Sequence, residues 1–306
     1  MKADRQTYMD AVYALDRVRY ATMVAGFSLF AWQRLVLSSP AKRKVLNCAR
    51  QAGKSSIVSV IPSWTAKYKP RSNCFVLAAT EQQAVYVINK IKACMSRDPT
   101  YPDIKRDSDS LIELKNGSRI EVLCATEKSS RGPSKPNVII PDEASRIEDV
   151  VITSGIIPML NDNPECELIV PSTPNGRTGF FYRIFHNKTW ERYFVRSQFY
   201  PSSGTTLERM GPEEDFIEEQ RKLGIIACYS PRHMNEAEQT EQLMMMGTQL
   251  YRQEDCGEFV EPESQLFSYS DIAKAFNKDG VQALKSGVLV RDDIQAFGEE
   301  DGNDNQ

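Results

Sequence analysis

The chain has 306 residues, 41% of them hydrophobic and 26% charged, with a formal net charge of −3. That balance fits an ordinary globular protein of one large domain or two modest ones, and it excludes collagen, coiled coil and wholesale disorder. The longest apolar run, Met23 to Trp32, already contains Ser28 and falls short of the ~18–20 residues that cross a bilayer.

The N-terminus mixes Asp4, Arg5, Asp10 and Asp16 with apolar residues, which does not suit a signal peptide. Seven cysteines form no C-x-x-C pair and there are two histidines, so neither a zinc site nor a disulfide framework is supported. The expectation is a reduced, intracellular protein. Charge is unevenly divided: residues 1–135 hold 23 Lys and Arg against 11 Asp and Glu, and residues 136–306 hold 15 against 30. A basic first half suits an anionic partner, nucleotide or nucleic acid, although a lysine-rich solvated surface gives the same count.

In chain order, apolar residues at Met9, Val12, Tyr13 and Val18 predict an amphipathic helix over 5–25, with Asp16 and Arg17 facing outward. Val45-Leu46 then leads through Asn47 to Ser56 into Ile57-Val58, which reads as strand, loop, helix. Cys74 to Ala79 is a buried strand, and Thr80-Glu81 opens a helix to about Met95. Leu111–Leu114 and Arg119–Val122 alternate apolar and polar across Asn116-Gly117, which predicts a β-hairpin. Val138-Ile139-Ile140, Leu168-Ile169-Val170 and Phe194-Val195 supply further strands. Apolar strands separated by helices predict a mainly parallel sheet covered on both faces. Beyond residue 200 the pattern turns helical and acidic, and Gly298 to Gln306 reads as a frayed tail.

Two motifs carry chemistry. Gly53-Lys54-Ser55 lies between a strand and a helix, where backbone N–H groups and the helix N-terminus favour a triphosphate. Gly53 permits close backbone approach, Lys54 reaches the β- and γ-phosphates, and Ser55 ligates Mg²⁺. The full G-x-x-x-x-G-K-[ST] pattern wants Gly at position 48, where this chain has Cys48, read as a small buried apolar residue. The second motif is Asp142-Glu143 after the strand Val138-Ile139-Ile140-Pro141. It places Asp142 to hold Mg²⁺ through water and Glu143 to polarise the attacking water. An Asp-Glu pair can also simply open a helix. The intervening strand and hairpin fit an additional-strand ATPase sheet.

These residues resemble a known family, the large subunit of tailed-bacteriophage terminase, a DNA-packaging motor. Ala49-Arg50-Gln51-Ala52-Gly53-Lys54-Ser55-Ser56 is similar to its variant phosphate loop, and Phe30-x-Trp32-Gln33 resembles its adenine motif. Ser130-Arg131-Gly132 resembles its Arg-Gly element, and Ser172-Thr173-Pro174-Asn175-Gly176 its coupling motif. Leu250–Glu254 with Gly257–Val260 resembles the segment closing the ATPase region.

The resemblance implies a RecA-like ASCE P-loop NTPase with a small helical lid or linker. It divides the chain into an N-terminal helical segment (1–28), an ATPase core (29–200), a lid or linker (201–262) and a C-terminal segment with an acidic tail (263–306). It further implies ATP and Mg²⁺ as cofactors, Arg50 on the γ-phosphate, Gln33 on adenine, Thr173 and Asn175 as γ-phosphate sensors, and Arg131 as a finger into a neighbouring subunit. Double-stranded DNA, the capsid portal, the small terminase subunit and a pentameric homo-oligomeric ring are the implied partners, in the host cytoplasm and with no membrane.

The family continues into an RNase H-like nuclease. Only 44 residues follow Pro262, against the roughly 100 that such a fold needs, so the expectation is an ATPase without its own DNA-cutting domain. Two alternatives stand beside the motor: one half of a DEAx-type helicase, suggested by Asp142-Glu143-Ala144-Ser145, and a non-hydrolysing assembly scaffold.

Overall fold

Nine strands form one sheet in a computed structural model that describes residues 5–125, 135–197, 213–230 and 236–261. They are β1 (Arg43–Cys48), β2 (Asn73–Ala78), β3 (Ile104–Asp107), β4 (Leu111–Leu114), β5 (Arg119–Cys124), β6 (Val138–Pro141), β7 (Glu167–Ser172), β8 (Glu191–Ser197) and β9 (Ile226–Ser230). Their order across the sheet is β3-β4-β5-β2-β6-β7-β1-β8-β9. All pairings from β5 to β9 are parallel, and β3 and β4 add an antiparallel edge. The Asn116-Gly117 hairpin joins β4 to β5, with Gly117 at φ +85°.

Eleven α-helical segments accompany the strands among the described residues. They are α1 (Arg5–Leu15), α2 (Arg17–Arg19), α3 (Ala31–Ser38), α4 (Lys54–Tyr68), α5 (Glu81–Ser96), α6 (Asp149–Val151), α7 (Ile157–Asp162), α8 (Gly179–Phe185), α9 (Glu213–Lys222), α10 (Glu236–Met246) and α11 (Thr248–Glu254). Alternate side chains of each central strand feed two cores. Leu46, Cys48, Val76, Ile140 and Ile169 pack with α3, α4 and α5 on one face. Val45, Phe75, Ile139, Leu168 and Val170 pack with Val151, Met159, Phe180 and Phe181 on the other. The middle residues of these strands meet a core on either face and so are apolar, while Lys44, Asn47, Glu167 and Ser172 are buried polar residues nearer the ends of β1 and β7.

Two local expectations change. The predicted helix over 5–25 breaks at Asp16, whose carboxylate accepts from the N–H groups of Val18 (2.9 Å) and Arg19 (3.0 Å) and so caps a new helix. Arg17, expected to face outward, is half-buried and makes two hydrogen bonds, of 2.9 and 2.7 Å, to Glu167. Beyond residue 200 the described residues include β9, which pairs with β8 from Tyr193↔Ile226 to Ser197↔Ser230. The predicted tail lies outside the described residues.

Candidate nucleotide site

The order β6-β7-β1 brings the carboxyl ends of three adjacent strands to one edge of the sheet, where ligands of open α/β sheets bind. The loop after β1 is held from below and from the side. Ala49 N–H donates to Val195 O on β8 (2.8 Å), Arg50 N–H to Glu254 O at the end of α11 (2.6 Å), and the Ser230 hydroxyl on β9 to Ala52 O (3.4 Å). Gln51 and Gly53 take positive φ, +59° and +93°, which turns the chain sharply into α4. Lys54 is the first residue of that 15-residue helix, so the loop N–H groups and the helix N-terminus combine into an anion-binding end. Ser55 and Ser56 follow in the same turn, both half-buried.

Phe30 and Gln33, expected in an adenine motif, brace this loop. Trp32 is fully buried. Gln33 accepts from Phe30 N–H (2.8 Å) and donates to Gly53 O (2.9 Å), so both ends of its buried amide are engaged by backbone. A Cβ on Gly53 would lie 2.7 Å from Gln33 Nε2 and 3.5 Å from the Phe30 ring, and glycine is what this approach requires.

Across the edge, β6 ends in Pro141, and Asp142 N–H donates to Leu77 O on β2 (2.7 Å). Pro141 pairs with Leu77, and the β6–β7 ladder involves Val138 and Ile139 alone, so the missing proline N–H breaks no bond there. Glu143 then adopts the left-handed region (φ +53°, ψ +46°), an uncommon choice for a residue with a Cβ that clusters at functional turns.

The distant motifs meet at Lys54. Its Nζ donates to Thr173 Oγ1 (2.7 Å) and lies 3.5 Å from Glu143 Oε1. Glu143 Oε2 accepts from Thr173 N–H (3.3 Å) and from the Ser172 hydroxyl (3.5 Å). Ser145 ties the acid turn to the end of β7: its N–H donates to Ser172 Oγ (3.1 Å) and its hydroxyl to Thr173 O (2.7 Å). Burial, and then the neighbouring Glu143 charge, push Asp142 up to about 6, so this carboxylate gains from a cation beside it. Burial pushes the Cys48 thiol up to about 12, which makes it an inert packing residue at the position where glycine was wanted.

Arg50 is engaged outside the cluster of Lys54, Glu143 and Thr173. Arg50 Nη1 lies 3.6 Å from Glu254 Oε2, and Arg146 Nη2 lies 3.9 Å from Glu254 Oε1. Asn175 is exposed. Arg131 lies outside the described residues. Three residues at this edge have no predicted site role: Ser145 and Glu254, which enter only as members of longer motifs, and Gln83, whose amide donates to Asp142 Oδ2 (3.0 Å). The sequence marks the helix that carries Gln83, opened by Thr80, but not the strand end which its side chain reaches.

Comparison with known proteins fits this geometry. The family described as "Terminase large subunit, ATPase domain" matches residues 19–186, more than half of the chain. The ATPase domain of the Thermus phage P74-26 large terminase is 20% identical with a TM-score of 0.53, covering 78% of this chain and 97% of that one. The HK97 bacteriophage large terminase is 16% identical with a TM-score of 0.56, and the large terminase of a thermophilic bacteriophage is 11% identical with a TM-score of 0.51. The alignments cover 84% and 83% of this chain but only 58% and 56% of those two, so the chain spans little more than half their length. The structural likenesses establish a shared fold, and with the family match over the loop, the acid pair and the coupling motif they place this chain in the terminase large subunit ATPase domain family.

Proposed function

We propose that this chain hydrolyses ATP with Mg²⁺ and couples the cycle to movement of double-stranded DNA into a viral capsid. The observation that carries the reading is the meeting of Lys54, Glu143 and Thr173 within 3.5 Å at the carboxyl edge of the sheet. A triphosphate in the loop would draw Lys54 onto its β- and γ-oxygens and leave Glu143 to accept a proton from a water aligned on the γ-phosphorus. Thr173, bonded to both the lysine and the glutamate, would register the γ-phosphate and report its loss along β7. Arg50, on the loop itself, would add a guanidinium to the charge developing on the phosphoryl oxygens.

Ser55 and Asp142 suit a magnesium ion by donor chemistry, a hydroxyl and a carboxylate that benefits from a cation. When bound, the ion would neutralise charge on the phosphate oxygens. No group of three or more His, Cys, Asp or Glu among the described residues could hold a metal by itself, which suits an ion held mainly by phosphate and water. Arg131 as a trans-acting finger, the portal and small-subunit contacts, the pentameric ring and action in the host cytoplasm belong to the same proposal.

Steady-state ATPase assays on wild type, Glu143→Gln and Lys54→Ala test it. Glu143→Gln should lower kcat by about 10²–10⁴-fold with nucleotide binding retained, and Lys54→Ala should lose both. Equal rates in all three would overturn the catalytic assignment. Strand separation of a forked duplex without any capsid would overturn the packaging assignment in favour of a helicase.

A further inference from the structure

Asp142 is asked to present a carboxylate in one orientation, yet it sits where β6 gives way to the left-handed Glu143. What steadies it comes from the neighbouring strand. β2 ends at Ala78, and the Thr80 hydroxyl accepts from Gln83 N–H (3.2 Å), capping α5 and fixing its first turn. That turn carries the Gln83 side chain to Asp142, where Nε2 donates to Oδ2 at 3.0 Å. The Asp142 backbone is tied to the same unit through Leu77 O (2.7 Å). Asp142 is therefore held at both its main chain and its side chain by the β2–α5 connection. Asp142 is only 7% exposed, so water cannot readily replace a lost donor.

We infer that Gln83 is a positioning residue for the divalent cation: its amide satisfies one oxygen of Asp142 and fixes the rotation of the carboxylate that faces the ion. The inference rests on the magnesium reading of Asp142 given above. Outer-shell donors of this kind orient the ligand and change metal affinity without touching the metal. Gln83 is half-buried at the start of a helix.

The test is a titration of MgCl₂ into the full chain with a fluorescent, non-hydrolysed ATP analogue, preceded by binding of the same analogue in EDTA. Wild type, Gln83→Leu, Gln83→Met and Asp142→Asn are compared. Both Gln83 variants should bind the analogue in EDTA within about twofold of wild type and need about tenfold more Mg²⁺ for half-saturation. Gln83→Leu added to Asp142→Asn should change nothing further. Unchanged Mg²⁺ half-saturation in the Gln83 variants, with the response lost in Asp142→Asn, would overturn the role of Gln83 and leave the magnesium reading standing. Loss of binding in EDTA by both Gln83 variants would also overturn it, because that marks a structural role. A wild type indifferent to Mg²⁺, or an Asp142→Asn that responds normally, would overturn the magnesium reading and the inference together.

Discussion

Gly53 shows how little freedom the loop has at the scale of one residue. Its φ of +93° is strained for any L side chain, and the space beside it is filled by the Gln33 amide. Gly53→Ala should push Gln33 off the Gly53 carbonyl and weaken nucleotide binding by about tenfold or more, with about 1–2 kcal/mol of lost stability. Isothermal titration with an ATP analogue, alongside urea denaturation, checks both numbers. Gln33 itself was legible as part of a nucleotide motif, but its engagement by two backbone groups was not. Hydrogen-bond partners depend on how α3 meets the loop, a tertiary matter that local spacing does not encode.

Among the elements, the segment after α11 closes the loop from above. Gly257 takes φ +67°, and its missing Cβ would lie 2.9 Å from the Phe194 ring and 3.5 Å from Ala49 N. The Gly257 carbonyl accepts from Asn47 Nδ2 (2.8 Å), so one residue joins β1 to the closing segment. Gly257→Ala should destabilise the protein by about 2–3 kcal/mol and speed hydrogen exchange at Ala49 and Arg50, whose N–H bonds depend on this packing. Strands β1, β2, β6 and β7 were legible because burial on two faces gives each a short apolar run, Val45-Leu46 in β1 and Leu168-Ile169-Val170 in β7 among them. β3 was not, since Ile104–Asp107 is exposed throughout and offers no apolar face. β9 was missed for a related reason: Ile226–Ser230 is a half-buried edge of five residues inside a stretch whose acidic helices dominate the pattern. The acid turn and the phosphate loop could be paired in advance from chemistry alone, whereas Ser145 and Gln83 emerge only once neighbouring strand ends are known.

For the whole molecule, a second charged centre binds the sheet at the edge where β1 and β7 begin. Lys44 Nζ lies 2.8 Å from Glu167 Oε1, and Arg17, stacked 4.6 Å from the centroid of the Trp64 ring, lies 2.7 Å from Oε2. Burial alone would raise Glu167, but the Arg17 hydrogen bonds, its charge and that of Lys44 outweigh it and hold the carboxyl at about 2, below the ordinary 4.5. A depressed carboxylate stabilises the fold above the ordinary value, and that contribution disappears as pH falls from about 4.5 towards about 2. Glu167→Gln should cost about 3–5 kcal/mol at pH 7 because it leaves the buried Lys44 and the half-buried Arg17 uncompensated. The gap between variant and wild type should shrink on acidification through that window. Urea midpoints measured from pH 7 down to pH 3 follow both effects.

The ninth strand bears on how this protein tolerates being shortened. Composition invites a cut near residue 200, yet β9 lies beyond it and supplies the ladder partners of Tyr193 through Ser197. A chain trimmed there would bare a row of unpaired peptide groups flanked by Tyr193, Phe194 and Val195, the kind of margin that recruits other copies of itself. Size-exclusion profiles of the trimmed and intact chains should differ, with self-association in the trimmed one before any change in its chemistry can be read. The margin of β8 is closed, in this architecture, by a stretch whose sequence advertises something else.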